Sequence, residues 1–239
     1  MTIDSHNSCR LYYSPDSANL IVRMVLEELR VPYLSTLVDR AADEHRSEAY
    51  RRLNPQGLIP VLVDGDSVLF ETAAIVLHLV DRHAALAPGP GAAGRGELYK
   101  WLFFLSNTLH ADLRVAFYSH RYHERPECQP GVRAAARSRV IGHFELLDGV
   151  IARHGGPWLL EWGLSVCDFY LAACARWSVL YPPGEGLKER RPVDFAHLRR
   201  LLELLEQRPA VAEACREEGI ADPFFTDPKP ARPKEGSVL

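Results

Sequence analysis

The sequence predicts an α/β domain with a mixed β-sheet, followed by an all-helical domain. Between residues 9 and 82, short apolar or aromatic runs alternate with helical patterns in the order β-α-β-α-β-β-α. Beyond residue 97, apolar side chains recur only at helical spacing. Residues 84–96 are rich in Pro, Gly and Ala and have no periodicity, so they are predicted to be the linker between the two domains.

The first half of the α/β domain is predicted to be parallel. Residues 9–14 form an aromatic run that stops at a proline, which indicates a strand. Residues 18–30 carry apolar side chains at helical spacing, and residues 31–38 indicate a second strand. Residues 43–53 read as a weakly amphipathic helix. A strand–helix–strand start favours parallel pairing through a right-handed crossover.

The second half is predicted to add antiparallel strands. Residues 59–63 and 67–70 are short strand-like runs joined by Asp64-Gly65-Asp66, a strong hairpin signal. A helix over residues 71–82 completes the domain. The sheet is therefore expected to be mixed.

The C-terminal half is predicted to be a helical bundle. Its expected helices span residues 97–121, 133–154, 165–180, 195–206 and 209–218. The predicted domains are residues 1–83 and 97–225, with a frayed, Pro- and Lys-rich tail over 226–239.

Composition excludes several classes of protein. The chain has 239 residues and a net charge of −3 without a long basic run, which predicts no nucleic-acid partner. It has no apolar stretch near the roughly 20 residues that span a bilayer and no apolar leader, so no membrane association is expected. Five cysteines without a CxxC pair argue against disulfides and structural zinc and favour the cytoplasm. His110, His120 and His123 lack a matching set of carboxylates, so no metal site is predicted.

The loop Ser14-Pro15-Asp16-Ser17-Ala18-Asn19 lies between the first strand and the first helix. Ser17 stands where a helix N-cap belongs, and capping alone would account for it. A helix N-terminus also attracts anions, and a hydroxyl beside it can donate to a thiolate. Both interpretations fit the loop.

Two further stretches have both a structural and a functional interpretation. Ile59-Pro60 opens a strand, where a proline lacks the N–H that a ladder needs. A cis bond there would expose the Ile59 backbone to a ligand, whereas a trans proline at the strand start is the alternative. Glu71 and Thr72 lie where a strand turns into a helix, so they either cap that helix or bind the carboxylate and ammonium of a ligand.

Two other stretches are predicted to be mainly structural. Ser165 and Asp168 have the spacing of a capping box before an apolar run. In residues 100–127 an aromatic stripe reads mostly as core, while His110, Phe117 and Tyr118 face another direction and are candidates for a substrate wall.

Taken together and in order, these stretches resemble the cytosolic glutathione S-transferases, of bacterial type and either serine-type or beta-like. The residues that carry the resemblance are LYYSPDSANLIVRMVLEEL (11–29), NPQGLIPVL (54–62), LFETAAIVLHL (69–79) and LSVCDFYLA (164–172). The resemblance implies a thioredoxin-like N-terminal domain that binds glutathione, a helical domain with an apolar pocket for the electrophile, and a homodimer.

The resemblance also implies roles for individual residues. Ser17 resembles the active-site serine, while Tyr12 and Tyr13 lie where other classes place a catalytic tyrosine. The residues it implies at glutathione are Ser14, Asn19, Ile59, Pro60, Glu71 and Thr72. Ala18 stands where the beta class has a cysteine, so a mixed disulfide is not expected there. His110 resembles a cleft-lining histidine of that class, although Ala111 replaces the basic residue that follows it.

The expected activity is a detoxifying glutathione transferase. Bound glutathione, as co-substrate and without a metal, would attack a small apolar electrophile as the thiolate. One alternative is a lyase, isomerase or reductase at the same site. Another is a non-catalytic binding or regulatory protein that keeps the fold.

Overall fold

The computed structural model describes residues 9–237 and divides them into two compact units. The first comprises residues 9–85, 208–222 and 229–237, and the second comprises 86–207 and 223–228. The sequence had placed 97–225 in one domain, but residues 208–222 belong to the first unit.

A four-stranded mixed sheet forms the centre of the first unit. Its strands are β1 (Cys9–Tyr13), β2 (Tyr33–Leu37), β3 (Val61–Asp64) and β4 (Ser67–Phe70), in the order β2-β1-β3-β4. β1 and β2 pair in parallel, whereas β1–β3 and β3–β4 are antiparallel. The predicted mixed topology is confirmed.

Three helices follow the strands, and the predicted helix over 43–53 is instead a 3₁₀ turn at Glu44–Arg46 followed by a shorter α-helix. The three helices are α1 (Asn19–Leu29), α2 (Glu48–Leu53) and α3 (Thr72–His83). Cys9, Leu11 and Tyr13 alternate into a buried layer along β1, as the period of two in a strand requires. On α1 the side chains of residues 19–26 are all buried. The loop before α1 is therefore held between a buried strand and a buried helix turn.

The second unit is helical. Its helices are α4 (Arg95–Phe104), α5 (His110–Phe117), α6 (Gln129–His154), α7 (Val166–Leu180) and α8 (Ala196–Glu206). The predicted single helix over 97–121 is interrupted. Leu105–Leu109 is a π-helical turn, and α5 ends at Phe117 before a 3₁₀ turn at Ser119–Arg121.

The last helix, α9 (Pro209–Glu217), and the residues after 228 belong to the first unit. Arg208 Nε donates to Glu28 Oε2 at 2.9 Å, which ties the start of α9 to the end of α1. The prediction of a frayed tail does not describe residues 229–237, because the Arg232 N–H donates to the Gly219 carbonyl at 2.8 Å. Over the described residues, none of the helices combines the length and the apolar character that a membrane crossing needs.

Candidate functional site

The loop between β1 and α1 is organised by the Asn19 side chain. Asn19 Oδ1 accepts the Ser14 N–H at 3.0 Å and the Ser17 hydroxyl at 2.5 Å. Ser14 itself is fully buried, and Arg40 Nε donates to its hydroxyl oxygen at 2.9 Å. A single amide oxygen thus accepts hydrogen bonds from both Ser14 and Ser17, and Ser17 is partly exposed.

Ser17 does not cap α1. The N-cap residue is Ala18, which has helical backbone angles, and no side chain caps this helix. Ser17 contributes only its carbonyl, which accepts the Leu20 N–H at 2.8 Å. The capping interpretation of Ser17 is therefore wrong, and its hydroxyl has no structural partner other than Asn19 among the described residues.

A buried carboxylate accepts hydrogen bonds from this loop. Glu218, which follows α9, is fully buried and accepts from Asn19 Nδ2 at 2.6 Å and from the Asp16 N–H at 2.8 Å. Arg23 Nε donates to the same carboxylate at 2.9 Å. Burial raises the pKa of Glu218 to about 7, against the opposing effect of the Arg23 charge.

Sequence reasoning missed both members of this ion pair. Arg23 left a signal, because it is a cation inside an otherwise apolar turn of α1 and is only 2% exposed. Glu218 gave no comparable signal, since it lies at the polar end of a short helix pattern.

The two tyrosines of β1 point to opposite faces of the sheet, as neighbours on a strand do. The Tyr13 hydroxyl donates to Glu235 Oε1 at 2.7 Å, and burial raises the pKa of Tyr13 well above its ordinary value. Tyr12 packs its ring edge-on against Tyr50, with ring centroids 6.1 Å apart, in a small hydrophobic cluster. Neither aromatic side chain is committed to the loop itself.

All five cysteines lie in the described residues and all are free thiols. Cys9, at the start of β1, is buried, and burial raises the pKa of its thiol to about 11. Cys128 is half-buried, and the others are buried: Cys167, Cys174 and Cys215. A thiol of this kind is a poor nucleophile at neutral pH, because the thiolate is the reactive form.

The Ile59-Pro60 peptide bond is cis, so of the two alternatives left open by the sequence the cis bond is the one found. The carbonyl of the preceding residue, Leu58, accepts from the Tyr50 hydroxyl at 2.9 Å and from Asn54 Nδ2 at 2.8 Å. Outside helices and strands of residues 9–237, no backbone hydrogen bond includes Ile59. Its N–H and C=O are therefore not used in a backbone turn or loop hydrogen bond of these residues.

Glu71 is the N-cap residue of α3, yet its side chain caps nothing. It is exposed and has φ 70° and ψ 110°, a left-handed region that a residue with a side chain seldom adopts. Thr72, the first residue of α3, is 7% exposed. An uncommitted carboxylate thus stands beside a helix N-terminus, where the backbone N–H groups attract an anion.

In the second unit, His110 is bound into an aromatic cluster. Its Nδ1 lies 3.0 Å from the Tyr170 hydroxyl, and its ring centroid lies 5.3 Å from that of Trp177. Burial, with a smaller contribution from the nearby Arg114 charge, lowers the pKa of His110 to about 4. The imidazole is therefore neutral at neutral pH.

Phe117, the last residue of α5, and Tyr118, which follows it, are the other two candidates on this stretch. The Phe117 ring meets Tyr118 at 6.4 Å and Tyr181 at 6.0 Å, both edge-on. The Arg121 guanidinium stacks over Tyr118 at 4.3 Å. Phe117, Tyr118 and Tyr181 thus form an aromatic cluster at the end of α5.

The predicted capping box at α7 is confirmed. Ser165 and Asp168 exchange hydrogen bonds across the first turn, and Asp168 also accepts the Leu159 N–H at 2.7 Å. Asp168 is fully buried, and burial raises its pKa to about 6. Over residues 9–237, no three His, Cys, Asp or Glu side chains group in a way that could hold a metal ion.

The mixed four-stranded sheet and the separate helical unit define a thioredoxin-like fold joined to an all-helical domain. Solved structures share this fold. A glutathione transferase homologue from Sulfitobacter with bound glutathione aligns with a TM-score of 0.75 at 22% identity, over 87% of this chain and 97% of that one. A glutathione transferase of Phanerochaete chrysosporium in complex with oxidized glutathione aligns with a TM-score of 0.76 at 24% identity, over 89% and 96%.

Sequence comparison places the chain more narrowly. Residues 20–82 match the family described as glutathione S-transferase, N-terminal domain. A glutathione S-transferase of Xanthomonas campestris is 29% identical over 208 residues, which is 85% of this chain and 98% of that protein. Glutathione S-transferase 3 of Zea mays is 36% identical over 104 residues, 42% of this chain and 47% of that protein. Residues 20–82 thus match a glutathione S-transferase N-terminal domain, and most of the chain is similar to a glutathione S-transferase.

Proposed function

We propose that this glutathione transferase activates glutathione as a thiolate through Ser17 and directs it at an apolar electrophile. The observation that carries the proposal is the pair of helix starts in the first unit. Neither α1 nor α3 has a side-chain cap, and each has an accessible polar side chain beside it, Ser17 and Glu71 respectively. At these two helix starts the protein would bind the thiol of glutathione and the amino and carboxylate groups of its γ-glutamyl residue.

Glutathione is proposed to bind along this side of the first unit. Its α-ammonium pairs with the Glu71 carboxylate, and its γ-glutamyl carboxylate accepts from the Thr72 hydroxyl at the N-terminus of α3. The Ile59 peptide groups, next to Pro60, bond the cysteinyl part. A charged residue, a hydroxyl and a main-chain segment would thereby fix the orientation of the tripeptide.

Ser17 is the proposed hydrogen-bond donor to the thiolate because its hydroxyl can leave Asn19 without leaving a buried polar group unpaired. When Ser17 turns towards sulfur, Asn19 Oδ1 still accepts the Ser14 N–H. The positive end of the α1 dipole adds to the stabilisation of the anion. Tyr13 is engaged by Glu235, and Tyr12 packs in the core, so both suit this role less well.

In the proposed reaction the thiol loses its proton to solvent. The sulfur electron pair then forms a bond to an electrophilic carbon, and the bond from that carbon to its leaving group breaks with its electrons on the leaving group. His110, Phe117 and Tyr118 are proposed to contact the electrophile. A disulfide reduction that uses an enzyme thiol is not favoured, because Ala18 occupies the loop and the Cys9 thiol is buried.

We further propose a cytoplasmic homodimer that acts in detoxification. Five free thiols suit a reducing compartment. The dimer is proposed from the resemblance to glutathione S-transferases, and sedimentation equilibrium tests it directly.

Calorimetry with glutathione and a chloronitrobenzene conjugation assay test the proposal. Ser17→Ala is expected to lower kcat on the order of 10²–10³, as removal of one preorganised donor does, with little change in glutathione affinity. Tyr12→Phe should change the rate less than about twofold, and Tyr13→Phe less than about tenfold. Ser67→Ala, at an exposed serine of the same unit, is the matched control.

Two results would contradict the proposal. No detectable binding at millimolar glutathione would favour a non-catalytic relative. An unchanged rate in Ser17→Ala, with loss in a tyrosine variant, would move the donor role to that tyrosine. If glutathione binds but no conjugate forms, a product screen with a disulfide and an aryl ether separates the reductase and lyase alternatives.

A further inference from the structure

The C-terminal strap, defined as residues 229–237, contacts the residue that leads into the Ser17 loop. Tyr13 is the last residue of β1, and its hydroxyl donates to Glu235 Oε1 at 2.7 Å across 222 positions of sequence. The Tyr13 ring lies against the Arg23 guanidinium at 4.6 Å, and Arg23 bonds Glu218. Glu235 therefore adds a contact to the same buried network that holds the loop.

Gly236 brings the strap against the loop itself. It has φ +73°, and a Cβ atom at this position would lie 2.7 Å from Leu37 Cδ1 and 3.2 Å from Pro15 Cδ. A side chain there would be both strained and too close to its neighbours. The strap thus packs closely on Pro15, two positions before Ser17.

The strap is also anchored at its start. The Arg232 N–H donates to the Gly219 carbonyl at 2.8 Å, directly after Glu218. A cavity of about 220 Å³ remains beneath it, lined by Tyr13, Pro15, Glu217, Pro233, Lys234 and Glu235. The strap therefore bridges from the end of α9 to the loop and touches it at defined points.

We propose that the strap positions the Ser17 loop for catalysis, with Glu235 as the positioning residue. This rests on the proposed function of Ser17. The Tyr13 carbonyl accepts the Val38 N–H at 2.8 Å, so the end of β1 is fixed to the sheet on its main-chain side. Glu235 and Gly236 fix it on the side-chain side and at Pro15. A misplacement of the donor by about 1 Å is enough to lower a rate as much as about 10²-fold.

Four single variants of the full-length protein test the strap. Glu235→Ala removes the acceptor and is expected to lower kcat about fivefold and to raise the pH midpoint of the acid limb of kcat/KM by about 0.5. Glu235→Gln keeps an acceptor oxygen for Tyr13 and should restore both values. Gly236→Ala displaces the strap by steric contact and should act like Glu235→Ala. Lys234→Ala, an exposed neighbour, is the control.

A double-mutant cycle adds a readout that general destabilisation would not produce. Tyr13→Phe should lose as much rate as Glu235→Ala, and the double variant no more than either. Glu235→Ala with the parental kcat and pH midpoint, but a lower melting temperature, would overturn the proposal and leave the strap purely structural. Failure of the proposed function looks different: Ser17→Ala would then be fully active, or glutathione would not bind the unaltered protein.

Discussion

Two helices of this protein begin beside a serine and a buried polar side chain, but they begin in different ways. At α7, Ser165 and Asp168 bond each other's backbone across one turn. At α1, the Asn19 side chain is hydrogen-bonded both to the preceding loop and to Glu218, and the N-cap residue is Ala18. When a serine caps its own helix, its hydroxyl is engaged in that cap. A start that is held from a distance leaves the serine hydroxyl available for a ligand.

The largest effect is expected when Glu218, the distant residue that supports the start of α1, is removed. Glu218→Ala leaves Arg23 buried without its carboxylate, and the Asp16 N–H and the Asn19 amide lose their acceptor. We expect the free energy of unfolding to fall by about 3–5 kcal/mol, measured by urea denaturation. The rate per folded molecule should fall as well, because the loop loses its anchor.

Glu217→Ala is the matched control for this change. Glu217 is exposed and pairs with Arg216 at the surface, so its removal should alter stability by less than about 1 kcal/mol. Equal effects of the two variants would show that Glu218 has no special role beneath the loop.

Removal of the local cap at α7 is expected to have the next largest effect. Asp168→Ala leaves the Leu159 and Ser165 N–H groups buried without an acceptor. The expected loss is about 2–4 kcal/mol in the free energy of unfolding. The rate per folded molecule should stay at the parental value, in contrast to Glu218→Ala, and Glu161→Ala at an exposed site serves as control. A selective loss of activity without destabilisation would be incompatible with a purely structural cap.

The smallest expected effect concerns His110, a second polar group of the helical unit that is held by its neighbours. Because its pKa is lowered to about 4, the folded protein binds this proton less readily than the unfolded chain, whose histidine has an ordinary pKa near about 6.5. Stability should therefore be complete above pH about 6.5 and decline as the pH falls towards 4.

His110→Gln removes this titration. Between pH 6.5 and 5 the parent should lose about 1.5 kcal/mol more stability than the variant, as followed by urea denaturation at each pH. His120→Gln, at an exposed histidine, is the control and should follow the parent. The same pH dependence in parent and His110→Gln would mean that the imidazole is not held neutral by the fold.

Local patterns predicted much of the fold. The strand β4 was predicted to the residue, because the Asp64-Gly65-Asp66 turn limits it on one side and the start of α3 on the other. The capping box of α7 was equally clear, since both partners lie within one turn. In these cases all of the interactions that decide the structure lie within a few residues.

Contacts between distant segments could not be predicted in this way. Arg23 and Glu218 are 195 positions apart, and Tyr13 and Glu235 are 222 apart, so no periodicity links them. The π-helical turn at Leu105–Leu109 also escaped notice, because apolar spacing does not distinguish one extra residue in a turn. For the site, the sequence identified Ser17, Asn19, Glu71 and Thr72 as candidates, but it contained no indication that Glu218 supports the Ser17 loop.

The distribution of sulfur in this chain has a practical consequence. Four of the five cysteines are buried, and Cys128 alone of the five is half-buried. A maleimide or an alkyl halide in solution therefore finds one accessible side-chain thiol on the native protein, at a position that can be replaced by serine. In the resulting variant, a covalent probe added together with glutathione would react with the glutathione thiol and not with a cysteine of the protein. Consumption of the probe would then measure the reaction of glutathione alone.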